Sequence, residues 1–248
     1  MLERVDCVAF LQWALPQLGR RWHGYRKVRR QVCRRMRRRG AELGLGSLAA
    51  YREHLERHPD EWRVLDGLAN VTISRFLRDR GVFEYLRAEV LHPGLRVWSA
   101  GCASGEEPYT LALVCDGLDI LATDVDEAVL RRAEAARYPA SALRELPSKL
   151  REQAFGADGT LDRRYRDRVA FARHDVRDDP PPGPFDLVLC RNLVFTYFDE
   201  DVQRATLRRI ASVTTPAGVL VIGAHEQLPA GQAMYEPLAP QHGVFRIS

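Results

Sequence analysis

Hydrophobic positions in the first part of the chain recur at helical spacing. From about residue 5 to residue 70, apolar side chains return at intervals of three and four, as at Val28, Val32 and Met36, and no alternating strand pattern is present. This spacing places apolar side chains on one face of a helix. We therefore predict a small all-helical N-terminal domain over residues 1–70.

The pattern changes after Leu95. Short apolar runs such as DILATD and FDLVLC then alternate with longer amphipathic segments such as DEAVLRRAEAARY. Strands that alternate with helices are typical of parallel βαβ units. The predicted fold class for residues 71–248 is therefore α/β, with a Rossmann-like, doubly wound sheet.

The turn after the first predicted strand is built from small residues. Gly101, Ala103 and Gly105 follow the run LRVWSA. In open α/β sheets ligands bind at the carboxyl ends of the strands, where small residues let the backbone approach the ligand. Asp124 stands nineteen residues after Gly105, at the end of the second predicted strand. A carboxylate in that position accepts hydrogen bonds from both hydroxyls of a ribose. The turn of small residues and this carboxylate together predict a site for a nucleoside-containing cofactor.

Two carboxylates at the start of the next helix narrow the choice of cofactor. Glu106 and Glu107 would repel the pyrophosphate of a dinucleotide, which needs N–H groups at a helix N-terminus. S-adenosylmethionine carries a sulfonium and an ammonium group, which carboxylates favour. The alternative is that both acids only complement the helix dipole. The charge pattern favours S-adenosylmethionine, with S-adenosylhomocysteine as the product.

One segment holds much of the positive charge. The net charge is +4, yet eleven Arg and Lys residues and no acidic residue lie between Arg20 and Arg39. The apolar residues of this segment form one helical stripe and leave the cations on the other faces. Because so many like charges repel one another, we expect an acidic partner here, with plain solvation as the alternative. Nucleic acid would meet the charge requirement, but the arginine run has no interleaved aromatic residues and no base-reading motif.

Composition excludes several other classes of protein. With 248 residues and 46% apolar residues, the chain can bury an ample core. The five cysteines have neither CxxC nor CxxH spacing, so we predict no metal site and interpret the cysteines as reduced thiols. No run of eighteen apolar residues occurs, and the apolar part of the N-terminus contains acidic residues. These features argue against membrane insertion and a signal peptide, and predict a cytoplasmic protein.

Four segments, taken in order, resemble one known family. They are RVWSAGCASGEEPY, ATDVDEAVLRRA, PGPFDLVLCRN and GVLVIGAHE. They look like the motifs of the CheR-type methyltransferases, which transfer methyl from S-adenosylmethionine to glutamate side chains of bacterial chemoreceptors. The resemblance covers roughly residue 70 to the C-terminus, and the N-terminal helices are more loosely similar to the family's small helical domain. In that family a basic helix at this place meets the acidic methylation helices of receptors.

The resemblance also implies roles for individual residues. Asn70 and Thr72 look like the start of the family's N-x-T-x-F-F-R motif, which reaches the cofactor, and Glu107, with Glu106, would hold the methionine end. Asp124 would bind the ribose. The implied and inferred cofactor-binding residues together are Asn70, Thr72, Gly101, Ala103, Gly105, Glu106, Glu107, Asp124, Asp175, Val176, Asn192 and Leu193.

Within that set, two pairs would line the adenine pocket. Asp175 and Val176 stand where the family usually has Asn-Leu, and Asn192 and Leu193 belong to the motif CRNL. Tyr197 in FTYFD matches the tyrosine that lies near the transferred methyl group in the family. We therefore predict Tyr197 as a catalytic hydrogen-bond donor, and the alternative is an aromatic ring that only packs at the edge between strand and helix.

Three departures from the family pattern leave alternatives open. The segment NVTISRFLR is longer than N-x-T-x-F-F-R, so either Arg75 or Arg78 is the predicted positioning cation. The segment CRNLVFTYFD has one residue more between asparagine and tyrosine than the common pattern. The Arg-rich stretch at about 153–171 stands where longer members insert a β-subdomain that grips a receptor's C-terminal peptide. Its shortness weakens the prediction of receptor tethering.

The resulting hypothesis is an S-adenosylmethionine-dependent O-methyltransferase that forms glutamate methyl esters on an acidic helical partner such as a chemoreceptor. The basic segment from Arg20 to Arg39 would contact that partner. A second hypothesis is methyl transfer to a different protein or to a small carboxylic acid. A third is a module that binds the cofactor or a partner without turnover.

Overall fold

The computed structural model describes residues 2–248, with side chains from Cys7 onward. The chain folds as two compact units. The first comprises the residues up to Val71 together with Thr196–Val202, and the second comprises Thr72–Phe195 and Gln203–Ser248. A short segment late in the chain therefore belongs to the N-terminal unit.

The first unit is helical, in line with its three- and four-residue spacing. Fully buried aromatic and aliphatic side chains, among them Tyr25, Met36 and Tyr51, form its core. Tyr197 from the returning segment packs against Tyr25, with 5.0 Å between ring centroids. The helices that lie wholly in this unit are α1 (Leu2–Gln17), α2 (Trp22–Tyr25), α3 (Arg29–Glu42), α4 (Leu48–Arg57) and α5 (Glu61–Leu68).

A disulfide joins two helices of this unit. Cys7 on α1 and Cys33 on α3 are bonded, with their Cα atoms 6.1 Å apart. The interpretation of all five cysteines as reduced thiols is wrong for this pair. The two residues are 26 positions apart, and only the packing of α1 beside α3 brings them together, so short-range spacing rules could not find them. Cys102, Cys115 and Cys190 remain thiols.

The basic segment does not form one continuous helix. A turn at residues 26–28 separates α2 from α3. Tertiary contacts hold α2 in place: the N–H of Arg21 donates to the carbonyl of Tyr197 at 2.8 Å, and a Cβ on Gly24 would lie 2.1 Å from the carbonyl oxygen of Thr196. Because these partners are distant in sequence, the local apolar pattern does not reveal the break.

The second unit is built on a mixed sheet of seven strands. Buried apolar side chains on both sides of the sheet form its core, as expected for strands that read as continuous hydrophobic runs. The strands are β1 (Arg96–Ala100), β2 (Asp119–Asp124), β3 (Val169–Arg173), β4 (Phe185–Leu189), β5 (Thr214–Val221), β6 (Tyr235–Ala239) and β7 (Val244–Ile247).

The strand order defines where a ligand can bind. The order is β3-β2-β1-β4-β5-β7-β6; β1 to β5 are parallel, and β7 runs antiparallel to β5 and β6. The order reverses between β1 and β4, and a crevice opens at the carboxyl ends of the strands at such a switch point. This topology confirms the predicted fold class: an α/β, Rossmann-like doubly wound sheet with a helical N-terminal region.

Helices and short turns connect the strands. The helix after β1 and the helix after β2 begin within a few residues of each strand, as the alternating pattern predicts. The stretch at 153–171 carries two isolated β-bridges, Phe155 with Leu161 and Arg137 with Thr160, and its last residues begin β3. The remaining helices are α6 (Arg80–Glu89), α7 (Glu106–Val114), α8 (Glu127–Ala135), α9 (Ala140–Leu143), α10 (Ser148–Ala154), α11 (Arg163–Arg166), α12 (Val194–Tyr197), α13 (Glu200–Ser212) and a 3₁₀ turn (Pro240–His242).

Across residues 2–248, none of the helices has both the length and the apolar character needed to span a bilayer.

Candidate cofactor site

The turn after β1 brings the backbone of three small residues to the switch point of the sheet. Gly101, Ala103 and Gly105 have positive φ angles of 79°, 50° and 88°. A Cβ on Gly101 would lie 2.3 Å from Leu193 Cδ2, and a Cβ on Gly105 would lie 2.9 Å from the Cβ of Ala133. Only glycine fits both the backbone conformation and the space at these two positions.

Asp124, at the end of the neighbouring strand β2, contacts the turn after β1. Its Oδ2 accepts a hydrogen bond from the N–H of Ala103 at 2.9 Å, and its Oδ1 accepts one from the N–H of Asp126 at 3.0 Å. Asp124 is 8% exposed, and burial raises the pKa of its carboxyl group above the ordinary value. Each carboxylate oxygen keeps a second lone pair, so the group retains the two acceptor sites that a ribose diol needs.

Glu107 lies in a charged cluster beside the turn. Ser99 Oγ donates to its Oε1 at 2.8 Å, and Arg191 Nη1 donates to its Oε2 at 3.1 Å. Arg191 Nη2 donates to Asp79 Oδ2 at 2.8 Å and to the carbonyl of Arg78 at 3.0 Å. Two carboxylates and one guanidinium leave a net negative charge, which favours a cation such as an ammonium group.

Glu106 faces a different environment from Glu107. It is 6% exposed, and burial raises the pKa of its carboxyl group, while a hydrogen bond from the Ser74 side chain opposes that shift. Its Oε2 has no hydrogen-bond partner among the described side chains and backbone groups. The Glu106 carbonyl accepts from Thr110 Oγ1 at 2.6 Å, and that hydroxyl accepts from the N–H of Leu77 at 3.2 Å. These bonds fasten the segment before α6 to α7.

The turn after β4 presents Asn192 and Leu193 at the same edge of the sheet. Asn192 has a φ of 55°, and its N–H donates to Glu226 Oε2 at 2.7 Å. The N–H of Gly223, after β5, donates to the same oxygen at 2.6 Å. Leu193 packs against Gly101, as the close approach of its Cδ2 shows. Glu226 therefore holds the turns after β4 and β5 together.

Asp175 and Val176 follow β3. The Arg177 guanidinium binds the Asp175 carboxylate, with 2.6 Å between Nη2 and Oδ2. Val176 is buried. The N–H of His174 donates to the carbonyl of Asp124 at 3.1 Å. This bond holds the turn after β3 beside Asp124, the predicted ribose-binding residue.

The other predicted site residues lie in different surroundings. Asn70 belongs to the first unit, where its Oδ1 accepts from Arg20 Nη2 at 2.8 Å. Tyr197 also belongs to the first unit and is 8% exposed. Thr72 is half-buried at the start of the second unit.

The two candidate arginines differ in their contacts. Arg75 Nε lies 2.5 Å from Glu145 Oε1 in an ion pair. Arg78 Nη1 donates to the carbonyl of Ile73 at 2.7 Å, and the Arg78 carbonyl accepts from Arg191 in the Glu107 cluster. Arg78 is thus joined to that cluster through its backbone.

The structure brings the turn after β1, Asp124 and Glu107 together at one edge of the sheet. Three polar residues around them were not assigned from the sequence, because a single polar residue in a loop or strand carries no periodic signal: Ser74, Asp79 and Ser99. For Arg191, before Asn192, the sequence left open a surface position or a substrate contact, and for Glu226, in the segment GAHE, a structural role or a place near the substrate.

The donor set fits S-adenosylmethionine. A turn that a Cβ would fill lets a nucleoside approach the backbone, Asp124 offers acceptors for a diol, and the Glu107 cluster has excess negative charge for an ammonium group. In the part of the chain that the structure describes, no group of three or more His, Cys, Asp or Glu side chains could hold a metal ion.

Comparison with known proteins agrees with this chemistry. Residues 72–244 match the family model described as CheR methyltransferase, SAM binding domain. A chemotaxis protein methyltransferase of Listeria monocytogenes is 36% identical over 65% of this chain and 67% of its own length. Chemotaxis protein methyltransferase 2 of Pseudomonas aeruginosa is 30% identical over 83% of this chain and 84% of its own.

Solved structures give a weaker likeness. Magnesium protoporphyrin IX methyltransferase from Synechocystis with bound SAH is 23% identical, with a TM-score of 0.38, over 57% of this chain and 52% of that protein. The chain thus spans about half the length of that structure.

Proposed function

Because the chain belongs to the CheR methyltransferase family, whose methyl donor is S-adenosylmethionine, we propose that it forms methyl esters on glutamate side chains of an acidic helical protein, such as the methylated helices of a chemoreceptor. Relatives named chemotaxis protein methyltransferase support a receptor-type protein substrate. The observation that carries the finer proposal is the arrangement of arginines on α3.

The structure divides the basic segment into inward and outward cations. Arg35 donates to the carbonyls of Leu68 and Asn70, and Arg39 binds Glu61 with 2.8 Å between Nη2 and Oε2. These side chains brace the fold of the first unit. Four other arginines of α3 are exposed at positions spaced by four, three and one, which lie on one helix face: Arg30, Arg34, Arg37 and Arg38.

A stripe of exposed guanidinium groups on one helix face suits a partner with carboxylates on a helix face of its own. Each cation gains little at an exposed site, but several acting together steer an acidic partner and set its register. We therefore assign the docking role to the outward stripe and a structural role to Arg35 and Arg39.

The chemistry needs little from the protein beyond placement. When bound, S-adenosylmethionine supplies an electrophilic methyl group: the methyl–sulfur bond breaks, its electron pair stays on sulfur, and a carboxylate oxygen forms the new bond. A glutamate with a pKa of about 4.3 is already ionised at neutral pH, so no residue of this chain has to act as a base. The site must exclude water and hold the carboxylate in line with the departing sulfur.

Within this proposal the predicted residues take these roles. Tyr197 donates a hydrogen bond to the acceptor carboxylate. Arg78 serves as the positioning cation, in preference to Arg75, because Arg75 is ion-paired with Glu145 and Arg78 is tied to the Glu107 cluster. The cofactor is held by Asn70, Thr72, Gly101, Ala103, Gly105, Glu106, Glu107, Asp124, Asp175, Val176, Asn192 and Leu193.

The proposal includes a cytoplasmic location. Disulfides are rare in the reducing cytosol, so the Cys7–Cys33 bond is the feature that weighs against it. Counting alkylated thiols in protein trapped directly from cells would test this part: five thiols support the cytoplasm, and three overturn it.

The experiment for the main proposal is transfer of a radiolabelled methyl group from S-adenosylmethionine to a chemoreceptor cytoplasmic fragment. Release of methanol on mild alkaline treatment identifies a carboxyl ester. The double reversal Arg30→Glu and Arg34→Glu should abolish transfer to the fragment and leave S-adenosylhomocysteine affinity unchanged. The matched control reverses Arg57 and Arg63, which lie in the same unit with side chains 70% and 87% exposed.

The outcomes separate the hypotheses. Equal transfer by both double variants would overturn the docking role of α3. Labelling of a small carboxylic acid but not of the fragment would favour the second hypothesis, with which the short 153–171 stretch is compatible. Cofactor binding with no transfer to any carboxylate would leave a binding module without turnover.

A further inference from the structure

Arg191 is a buried charged residue beside the cofactor candidates. It lies two residues after the end of β4, its side chain is 2% exposed, and its guanidinium lies over the ring of Phe83, 5.2 Å from the centroid. Burying a guanidinium is costly unless carboxylates and carbonyls take up its donors. Both terminal nitrogens have such partners, so the enclosure has a structural reason.

These partners come from separate parts of the second unit. Nη1 binds Glu107 in the first turn of α7, and Nη2 binds both the carboxylate of Asp79 and the carbonyl of Arg78, just before α6. One side chain therefore links the end of β4, the start of α7 and the segment that leads into α6. Ser99, at the end of β1, fixes the other oxygen of Glu107.

The segment before α6 needs such a restraint. Asp79 has a φ of 59° and Leu77 a φ of 51°, and non-glycine residues adopt this left-handed region only when surrounding contacts hold them there. The bond from the N–H of Leu77 to Thr110 Oγ1 fixes Leu77. The bonds from Arg191 to the Arg78 carbonyl and the Asp79 carboxylate fix Asp79.

We propose that Arg191 is a positioning residue, which orients the Glu107 carboxylate and the 78–79 backbone for the amino-acid end of the cofactor. The inference rests on the proposed function, since it requires the cofactor to bind in this crevice. Arg191 acts through its neighbours, and Glu107 and Asp79 remain the groups that supply negative charge.

If Arg191 acted only through its charge, replacing it would change cofactor affinity differently than if it acts by positioning its neighbours. Removing a cation leaves Glu107 and Asp79 with two negative charges, which by Coulomb attraction would hold an ammonium group at least as well. A loss of affinity for a ligand that carries the ammonium would therefore report lost geometry. A ligand without the amino-acid end would not sense either change.

The experiment measures two ligands on the full chain by calorimetry or competition. S-adenosylhomocysteine carries the amino-acid end, and 5′-methylthioadenosine lacks it. For Arg191→Met we expect the Kd of S-adenosylhomocysteine to rise about 10- to 100-fold, and that of 5′-methylthioadenosine to change less than about twofold. Arg191→Lys, which keeps the charge and part of the bonding, should restore some of the lost affinity.

Two further variants keep the test decisive. Asp79→Glu keeps the negative charge but displaces the carboxylate that Arg191 binds, at a side chain that is 30% exposed, and should show the same discrimination between ligands if Arg191→Met fails to fold. Arg168→Met removes another arginine of this unit, which binds Asp116 and the carbonyl of Ala112, and should leave both affinities unchanged.

Failure of the inference differs from failure of the proposed function. If the unaltered chain binds neither ligand, the proposed function fails. If it binds both, and Arg191→Met and Asp79→Glu either keep both affinities or lower them equally, Arg191 has no positioning role. Unequal losses in the expected direction support it.

Discussion

Arg20 Nε lies 2.7 Å from Asp66 Oδ1, and the Arg20 side chain is 2% exposed. The same guanidinium donates to the hydroxyl of Tyr25 at 2.8 Å. The first cation of the basic segment is therefore part of the core of the first unit. Its guanidinium binds Asp66 on α5 and the Tyr25 hydroxyl, and so stabilises the packing of these elements.

Replacing Arg20 should destabilise the protein strongly. Arg20→Met leaves the Asp66 carboxylate without its buried partner, and breaking a buried pair costs about 3 kcal/mol or more. Urea unfolding measures the change. Arg34→Met, at an exposed position of α3, should alter stability by less than about 0.5 kcal/mol; a similar loss in both variants would contradict the division into inward and outward arginines.

Gly101→Ala should impair both folding and cofactor binding. The added Cβ would meet Leu193 Cδ2 at 2.3 Å, which forces the turn or Leu193 to move, at a cost of about 1–3 kcal/mol. Thermal unfolding and S-adenosylhomocysteine titration measure the two effects. Gly94→Ala is the control, because Gly94 has a φ of 92° but a Cβ added there would have no neighbouring atom within 4 Å; it should lose about 1 kcal/mol of stability and keep the affinity.

Affinity for S-adenosylhomocysteine should fall on acidification. Burial raises the pKa of Asp124, so its carboxylate takes up a proton at a pH above the ordinary aspartate range of about 3.9 and loses acceptor capacity for the ribose. Titrations from pH 8 downward should show this loss, and Asp124→Asn should bind weakly at every pH. Asp178→Asn, at an exposed position in the turn after β3, should follow the unaltered chain. If the affinity of Asp124→Asn fell with pH in the same way as that of the unaltered chain, Asp124 would not be part of the cofactor site.

Glu106→Gln should stabilise the protein at neutral pH. A carboxyl group whose pKa is raised in the folded state binds its proton more tightly there than in the unfolded chain. The free energy of unfolding therefore falls as the pH rises from the ordinary pKa of the carboxyl group to its raised pKa in the folded state. Burial causes this shift at Glu106. Unfolding midpoints at pH 8 should therefore be higher for the variant, and the advantage should shrink as pH falls. An advantage that grows on acidification would show the opposite shift.

Reducing the Cys7–Cys33 disulfide should destabilise the first unit. The bond closes a loop of 26 residues, which corresponds to about 3–4 kcal/mol in the chain-entropy treatment. Urea unfolding with and without a reductant measures the difference, and Cys7→Ser should reproduce the reduced form without a reductant. Cys115→Ser, at a position that remains a thiol, should show no such change.

Most of the sheet and its first ligand-binding turn could be predicted from the sequence, because the patterns that indicate them are local. Apolar runs marked β1, β2, β4 and β5, and small residues marked the turn at Gly101. The strand β3 was missed because only Val169 of its five residues is buried, so it lacks a continuous apolar run. The strands β6 and β7 are short and at the sheet's antiparallel end, where the alternation of strands and helices no longer applies.

The side-chain contacts of the site were less accessible to sequence reasoning. The adjacent residues Glu106 and Glu107 looked alike in the sequence, yet one is buried beside Ser74 and the other binds Ser99 and Arg191. Successive positions in a helix differ by about 100° in direction, so their surroundings depend on which elements pack around α7. The roles of both carboxylates in cofactor binding stay predictions.

The chain enters the first unit a second time, at Thr196–Val202, before it returns to complete the sheet. Evolution can exchange a domain by a single crossover only when the domain is one uninterrupted stretch of gene. Here a crossover near residue 71 would transplant five helices and leave behind Tyr197, the ring that packs on Tyr25. The helical unit and the returning segment are therefore expected to be inherited together, and a functional chimera between relatives would have to carry both.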